Sequence, residues 1–238
     1  MRLDIYLTKH LAIASRNKAS ELIKSNKVLV NKTIITKASF IVDESMSVEL
    51  IEDDILVSRA GYKLKYFLAE LDLDLSTMNG LDIGSSTGGF AQVLLQNDIS
   101  KLTCVDVGTN QLHQSLKSYK NLEFFENCDI RDFNPNTTFD IITCDISFIS
   151  LHHILKDIDR LAKKHIIILF KPQFEVGKIA KRDKHGVVKD EKAIKKAMIT
   201  FGDACSLLGW ELIYQTKSKL SGKEGNDEEF YYYTKTNH

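Results

Sequence analysis

Proline is nearly missing from this chain, with two residues in 238. That scarcity argues against long disordered linkers. Cysteine is sparse as well. Cys104, Cys128, Cys144 and Cys205 form no Cys-x-x-Cys pair and no Cys/His set with zinc spacing, so no metal site is expected. Cys104 and Cys144 lie in apolar, strand-like runs, where a free thiol behaves as a small hydrophobe. This usage points to a reducing, cytoplasmic location. Long apolar runs are also lacking. None approaches the roughly 20 residues that a membrane span needs, so no membrane partner is expected. Asp4, Lys9 and Arg16 interrupt the opening stretch, and no secretory signal peptide is expected there.

Net charge is absent in total, with 32 basic residues balancing 32 acidic ones. The balance is uneven along the chain. Residues 1–40 carry Arg2, Lys9, Arg16, Lys18, Lys24, Lys27, Lys32 and Lys37 against only Asp4 and Glu21. Residues 41–56 carry Asp43, Glu44, Glu49, Glu52, Asp53 and Asp54 and no base. Such asymmetry between segments is more informative than the sum.

Periodicity divides the chain in two. Leu3, Leu7 and Leu11 lie four apart, and Ala19, Leu22 and Ile23 repeat the helical spacing, with Ser15 placed to cap the second helix. Val28 to Val30 reads as a strand, Asn31-Lys32 as a tight turn, Ile34-Ile35 as its partner and Val48 to Ile51 as a further strand. This predicts a small α+β domain over residues 1–56. From residue 57 onward, helices and strands alternate. Apolar spacing marks helices near Leu64, Phe90, Leu112 to Leu116 and Ile194 to Leu208. Strands are marked at Leu81 to Ile83, Leu102 to Val107, Phe124-Phe125, Ile141 to Cys144 and Ile166 to Phe170. Alternation of this kind predicts a parallel sheet with helices on both faces, an α/β domain over residues 57–238. Leu212 to Gln215 and Phe230 to Tyr233 have no helix between them, which suggests an antiparallel hairpin at one edge.

Residues 81–90 read Leu-Asp-Ile-Gly-Ser-Ser-Thr-Gly-Gly-Phe: a strand, a glycine turn and the start of a helix. Glycines let backbone approach a ligand and adopt positive φ. Ligands of open α/β sheets bind at the carboxyl ends of strands. The spacing is neither the dinucleotide fingerprint nor a phosphate loop. Asp106 ends the next strand, about 20 residues on, where a carboxylate can accept both hydroxyls of a ribose. This combination fits the adenosine of S-adenosylmethionine better than a dinucleotide. The candidate cofactor-binding residues are Gly84, Ser85, Ser86, Thr87, Gly88, Gly89, Phe90, Asp106 and Val107. Asp145 and Lys171 end two later strands, so Asp82, Asp106, Asp145 and Lys171 should converge on one rim. His152-His153 is not read as a metal pair, because adjacent residues on a helix face apart.

Several tracts carry a family resemblance. They include Arg2-Leu3-Asp4, Ser15-Arg16, Val28-Leu29-Val30-Asn31, Ser58-Arg59-Ala60-Gly61-Tyr62-Lys63-Leu64 and Ser86-Thr87-Gly88-Gly89-Phe90. The residues Asp-Ile-Ser-Phe-Ile-Ser-Leu at 145–151, Lys-Pro-Gln-Phe-Glu-Val-Gly-Lys at 171–178 and Gly-Asn-Asp-Glu at 225–228 follow in order. In these the chain resembles the TlyA family, whose members go by haemolysin A or ribosomal-RNA cytidine 2′-O-methyltransferase. The resemblance covers essentially the whole chain. It implies an S4 RNA-binding module followed by a Rossmann-like methyltransferase domain similar to FtsJ. It also implies a Lys-Asp-Lys-Glu catalytic tetrad on Lys63, Asp145, Lys171 and Glu228. Glu229 adjoins Glu228, but strand alternation puts the two on opposite faces. Asn26 and Lys32 stand where the S4 module usually has glycine; asparagine tolerates positive φ, so the turns should survive. The tract Asn127-Cys128-Asp129-Ile130 departs from the usual wording, and Asp129 and Ile130 are the candidate adenine contacts, with Asp145 beside the cofactor.

The expected activity is S-adenosylmethionine-dependent methylation of a cytidine ribose 2′-hydroxyl in ribosomal RNA, most simply of the large subunit. Arg2, Arg16, Lys18, Lys24, Lys27 and Lys32 are the candidate RNA contacts, gripping phosphates without reading sequence. A monomer is expected. Two competing readings are a pore-forming haemolysin, which leaves the glycine loop unexplained, and a non-catalytic RNA-binding ribosome factor, which leaves the tetrad unexplained.

Overall fold

The computed structural model describes residues 1–11, 13, 15–43, 45–50 and 56–235. The chain divides into two compact units, Met1–Ile55 and Leu56–His238.

In the first unit the leucine spacing becomes helix α1 (Leu3–His10), followed by α2 (Arg16–Lys24). The Ser15 side chain accepts a hydrogen bond from Lys18 N at 3.2 Å, satisfying one of the amides that a helix start leaves unpaired. A three-stranded antiparallel sheet follows, in the order β2 (Thr33–Ile34), β1 (Val28–Val30), β3 (Val48–Leu50). The strand expected at Val48 to Ile51 is described over Val48–Leu50, and Ile51 lies outside the described residues. Asn26, Asn31 and Lys32 all have positive φ, 62°, 49° and 63°. The turns survive without glycine, at some steric cost for Lys32, whose Cβ is least welcome there. Leu3, Leu7, Leu22, Ile23, Val28 and Val30 close a small core.

The second unit is a seven-stranded sheet ordered β6-β5-β4-β7-β8-β10-β9. Strands β4 (Asn79–Ile83), β5 (Lys101–Val105), β6 (Leu122–Phe125), β7 (Phe139–Cys144) and β8 (Ala162–Phe170) run parallel. Strand β10 (Glu229–Lys235) inserts antiparallel between β8 and the edge strand β9 (Trp210–Lys217). Alternation along each strand feeds two cores. Ile167 and Leu169 face one side with Phe230 and Tyr232, packed with α3 (Arg59–Leu68) and α4 (Gly89–Gln96). Ile166, Ile168 and Phe170 face the other with Tyr231 and Tyr233, packed with α5 (Leu155–Leu161). A single helical turn after β8, α6 (Pro172–Glu175), precedes the long α7 (Glu191–Leu207), which covers the same face as α5. Each fully buried aliphatic side chain contributes about 1.5–3 kcal/mol relative to exposure. This is the Rossmann-like α/β sheet that the alternation implied.

Two elements differ from the sequence reading. The helix expected at Leu112 to Leu116 is a single 3-10 turn, Gln114–Leu116. Its amides bond three residues back, Leu116 N to His113 O and Lys117 N to Gln114 O, while the preceding Gln111 N and Leu112 N donate to the Glu126 carboxylate and His113 N to Thr87 O. Leu112 and Leu116 instead pack on Gly88, where an added Cβ would meet Leu116 Cδ1 at 2.3 Å. Helix α5 has no counterpart in the sequence reading. It follows the 3-10 turn Leu151–His153 that carries the histidine pair.

Candidate active site

Four strands of the sheet end on one rim, and their last residues build the site. At the end of β4 the chain turns through Gly84 (φ 76°), where a Cβ would press to 2.8 Å from Asp145 O. Gly88 (φ 89°) then caps α4 in a left-handed conformation. Asp106 follows β5. Its two carboxylate oxygens accept hydrogen bonds from Ser86 N at 2.8 Å and Gly108 N at 2.6 Å, so one side chain ties the glycine turn to the next loop. Beside it opens a cavity of about 330 Å³, within the size range of small-molecule sites. Gly84, Ser86, Asp106, Val107, Asp129, Ile130 and Asp145 line it, all named from the sequence. Its apolar walls are Ile83, Val105, Ile130, Ile146 and Ile154. Asp129 is held by Arg131, which donates to both carboxylate oxygens and keeps the acid below its usual range. A smaller adjoining cavity of about 190 Å³ is lined by Ser85, Thr87, Gly89, Phe90 and Lys171, and it shares Gly84, Ser86 and Asp145 with the first. Phe90 is buried and stacks near Phe230 with ring centroids 6.1 Å apart, so it supports the turn from the core.

Asp145 follows β7 and Lys171 follows β8. Lys171 Nζ lies 2.5 Å from Asp145 Oδ1 and donates to Ser147 Oγ at 2.8 Å. Lys63, on α3, donates to Glu228 Oε2 at 2.5 Å. Glu229 pairs with Phe170 in the β10–β8 register, so one step further sets Glu228 opposite Lys171. Glu228 is buried and Glu229 only partly so. Lys171 and Asp145 therefore line the smaller cavity, Asp145 lines the larger one as well, and the β10–β8 register brings the buried Lys63–Glu228 pair alongside Lys171. Asp82 lies beneath the rim, fully buried, with Oδ1 accepting from Thr143 Oγ1 at 2.7 Å. Burial, with Asp145 and Asp106 nearby, pushes its carboxyl up to about 7 against the pull of Thr143.

Sequence reasoning passed over three neighbours. Ser147 bonds Lys171, Gln111 accepts from Ser86 Oγ at 3.1 Å, and Phe148 is 88% exposed with φ 72°. A non-glycine residue at positive φ was the available signal only after folding, because nothing in the tract 145–151 marks it. Among the described residues no group of three or more His, Cys, Asp and Glu is arranged to hold a metal ion. None of their helices is long and apolar enough to cross a membrane.

In the first unit, Arg2 and Arg16 converge on the buried Asp4. Arg2 Nε donates to Oδ1 at 3.0 Å and Arg16 Nη2 to Oδ2 at 2.8 Å. The two guanidiniums hold the Asp4 carboxyl down to about 2. Lys18 pairs with Glu21 at 3.6 Å, while Lys24 and Lys32 are exposed and Lys27 is half-buried.

This sheet order, with a glycine turn after its central strand and acids at the neighbouring strand ends, defines a Rossmann-like methyltransferase. Residues 56–235 match the FtsJ-like methyltransferase family and residues 1–48 match the S4 domain. The chain is 49% identical to the 23S rRNA (cytidine-2′-O)-methyltransferase TlyA of Campylobacter jejuni, over 99% of this chain and 100% of that protein. It is 31% identical to the 16S/23S rRNA (cytidine-2′-O)-methyltransferase TlyA of Mycobacterium tuberculosis, over 96% and 88%. A solved structure from Streptococcus thermophilus, described as a hemolysin, superposes with a TM-score of 0.71 at 29% identity, over 100% of this chain and 89% of that one. The chain belongs to the TlyA family of FtsJ-like methyltransferases.

Proposed function

We propose that this protein transfers a methyl group from S-adenosylmethionine to the ribose 2′-hydroxyl of a cytidine in large-subunit ribosomal RNA. The observation that carries the reading is the Lys171–Asp145 pair at 2.5 Å, set in the smaller cavity that adjoins the nucleoside-sized one. The 49% identity to a protein named for that reaction supports the choice of nucleoside and subunit.

The cavity fits the cofactor. Asp106 offers lone pairs to ribose hydroxyls from a carboxylate whose orientation two backbone amides already fix. Ile130 and Val105 offer apolar faces to an adenine, and Asp129 a carboxylate. When bound, S-adenosylmethionine supplies an electrophilic methyl group on a sulfonium. The chain's own residues align the 2′-hydroxyl for in-line attack and deal with its proton. Lys171 is the group nearest that hydroxyl in this reading, oriented by Asp145 and Ser147. Lys63 and Glu228 complete the tetrad and fix the far side. The exposed ring of Phe148, with Phe174 at 5.5 Å between centroids, offers a stacking surface to an unpaired base. Arg2, Arg16, Lys18, Lys24, Lys27 and Lys32 of the S4 module would grip RNA phosphates. The protein works in the cytoplasm, as a monomer and without metal.

The test is transfer of labelled methyl to purified large subunits or their RNA, with ribose methylation mapped by nucleotide. A single new 2′-O-methylcytidine is expected. Methyl groups found on a base rather than on ribose would defeat the reading.

A further inference from the structure

The chain's total charge is zero, yet residues 176–200 hold eight lysines and arginines against three acids, an excess of five. Within this stretch, residues 178–189 form a short loop closed by an isolated bridge between Arg182 and Val188. Two anchors tie the loop to the site. Arg182 Nη2 donates to Gln173 O at 2.9 Å and Gly177 O at 3.2 Å, and Gln173 is two residues past Lys171. Val188 N donates to the buried Asn226 side chain at 2.9 Å, and Asn226 is two residues before Glu228. Asp183 is spent on the loop itself, accepting from His185 N and Val187 N and pairing with Lys189 at 3.5 Å. That leaves Lys178, Lys181 and Lys184 exposed, with no carboxylate partner among the described residues. Exposed Lys192, Lys195 and Lys196 continue the charge along α7.

We propose that this anchored basic loop is a second RNA-binding surface, one that belongs to the methyltransferase unit and holds backbone phosphates flanking the reacting nucleotide. The inference rests on the RNA-methylating reading and adds a contact to it. A charge cluster that only kept the protein soluble would need no attachment to the segments carrying Lys171 and Glu228. Unpaired lysines on a loop held at both ends lose little freedom when they meet a phosphate. The carbonyl anchors also leave Arg182 structural, so phosphate binding falls to the lysines. Lysine serves as a point charge for phosphate and carries no sequence preference.

The experiment uses the full chain and an in vitro transcript of large-subunit ribosomal RNA, with binding measured from low to high salt. The variant K181Q/K184Q should bind several-fold more weakly at low salt and converge on the wild type at high salt. Its slope of log affinity against log salt should be shallower by about two, one for each phosphate that the variant leaves without a lysine. The charge-preserving K181R/K184R should keep the wild-type slope. Melting temperature and S-adenosylmethionine affinity should be unchanged in both. A wild-type slope in K181Q/K184Q overturns the proposal, and so does a weakening that K181R/K184R shares. Unaltered RNA binding together with failure to bind vesicles of anionic phospholipid that the wild type binds overturns it in favour of a membrane surface. If the wild type binds the transcript but methylates no ribose, the functional reading fails, while the slopes still decide whether the loop holds RNA.

Discussion

Lys63 and Glu228 stand 165 positions apart in sequence and 2.5 Å apart in space, both sealed from water. Breaking a buried pair from one side leaves an uncompensated charge and costs about 3–5 kcal/mol. Lys63→Met alone and Glu228→Leu alone should each lower stability by about that much. The double variant should recover most of the loss, because no charge is left stranded, yet it should stay inactive. Denaturant unfolding of the three variants checks this; additive losses in the double variant would show that the two side chains act independently.

Lys171→Arg separates two roles. If a neutral lysine takes the hydroxyl proton, arginine cannot substitute, since it stays charged. Single-turnover methyl transfer should then vanish while folding and cofactor binding persist. Substantial activity in the arginine variant would assign Lys171 the role of a steering cation. Near-normal rates in Lys171→Ala would remove it from the mechanism and move attention to Lys63.

Asp106→Ala should weaken S-adenosylmethionine binding by roughly tenfold or more, the worth of about 1.5–3 kcal/mol for hydrogen bonds to a charged group. Calorimetric titration of the folded variant is the check. Affinity equal to that of the wild type would exclude the carboxylate from the nucleoside site.

Asp4 should shape the acid limb of the N-terminal unit's stability. Its carboxyl is lowered from 3.8 to about 2, so the folded state favours the charged form. The stabilisation, about 2 kcal/mol, is fully present above pH 4 and is lost as pH falls toward 2. Asp4→Asn should flatten that limb in pH-dependent unfolding. It should also weaken RNA binding although it removes a negative charge, because Arg2 and Arg16 lose the acid that holds them together. Tighter binding in the variant would mean that charge alone matters there.

Asp82 should act with the opposite sign. Its carboxyl is raised from 3.8 to about 7, so the folded state holds a proton that the unfolded chain has released. Stability then falls as pH rises from about 4 to 7 and levels off above. Asp82→Asn, which keeps the contact to Thr143, should remove this slope. A pH profile identical to the wild type would show that Asp82 titrates alike in both states.

Period and turn chemistry made most of the fold legible. The parallel strands, the glycine turn and the closing antiparallel pair could all be read, because each buries one face or demands a special φ. Residues 112–116 misled for a physical reason: two leucines at helical spacing fix a buried side over Gly88, but the backbone there closes only three-residue turns, Leu116 N to His113 O and Lys117 N to Gln114 O. Strand ends marked Asp106, Asp145 and Lys171, since a charge after an apolar run needs a cause. Lys63 and Glu228 were legible only through family resemblance. Nothing local distinguishes Lys63 from Lys65, and their pairing depends on which strand β10 joins. Ser147 and Gln111 were silent, because their contacts arise between loops far apart in sequence.

The placement of β10 also sets an order of assembly. Strand β9 is made before β10, yet among the described residues its one strand neighbour is β10, which in turn pairs with β8. During synthesis β9 therefore waits with no seat, and the open edge of β8 waits with it, until β10 emerges and seats both. Glu228 arrives with that same strand. An emerging chain thus carries Lys63, Asp145 and Lys171 around an unfinished sheet, and Glu228, the buried partner of Lys63, comes only with the step that seats β10 against β8. If the four residues act together as proposed, a nascent chain completes its site only when its sheet is whole.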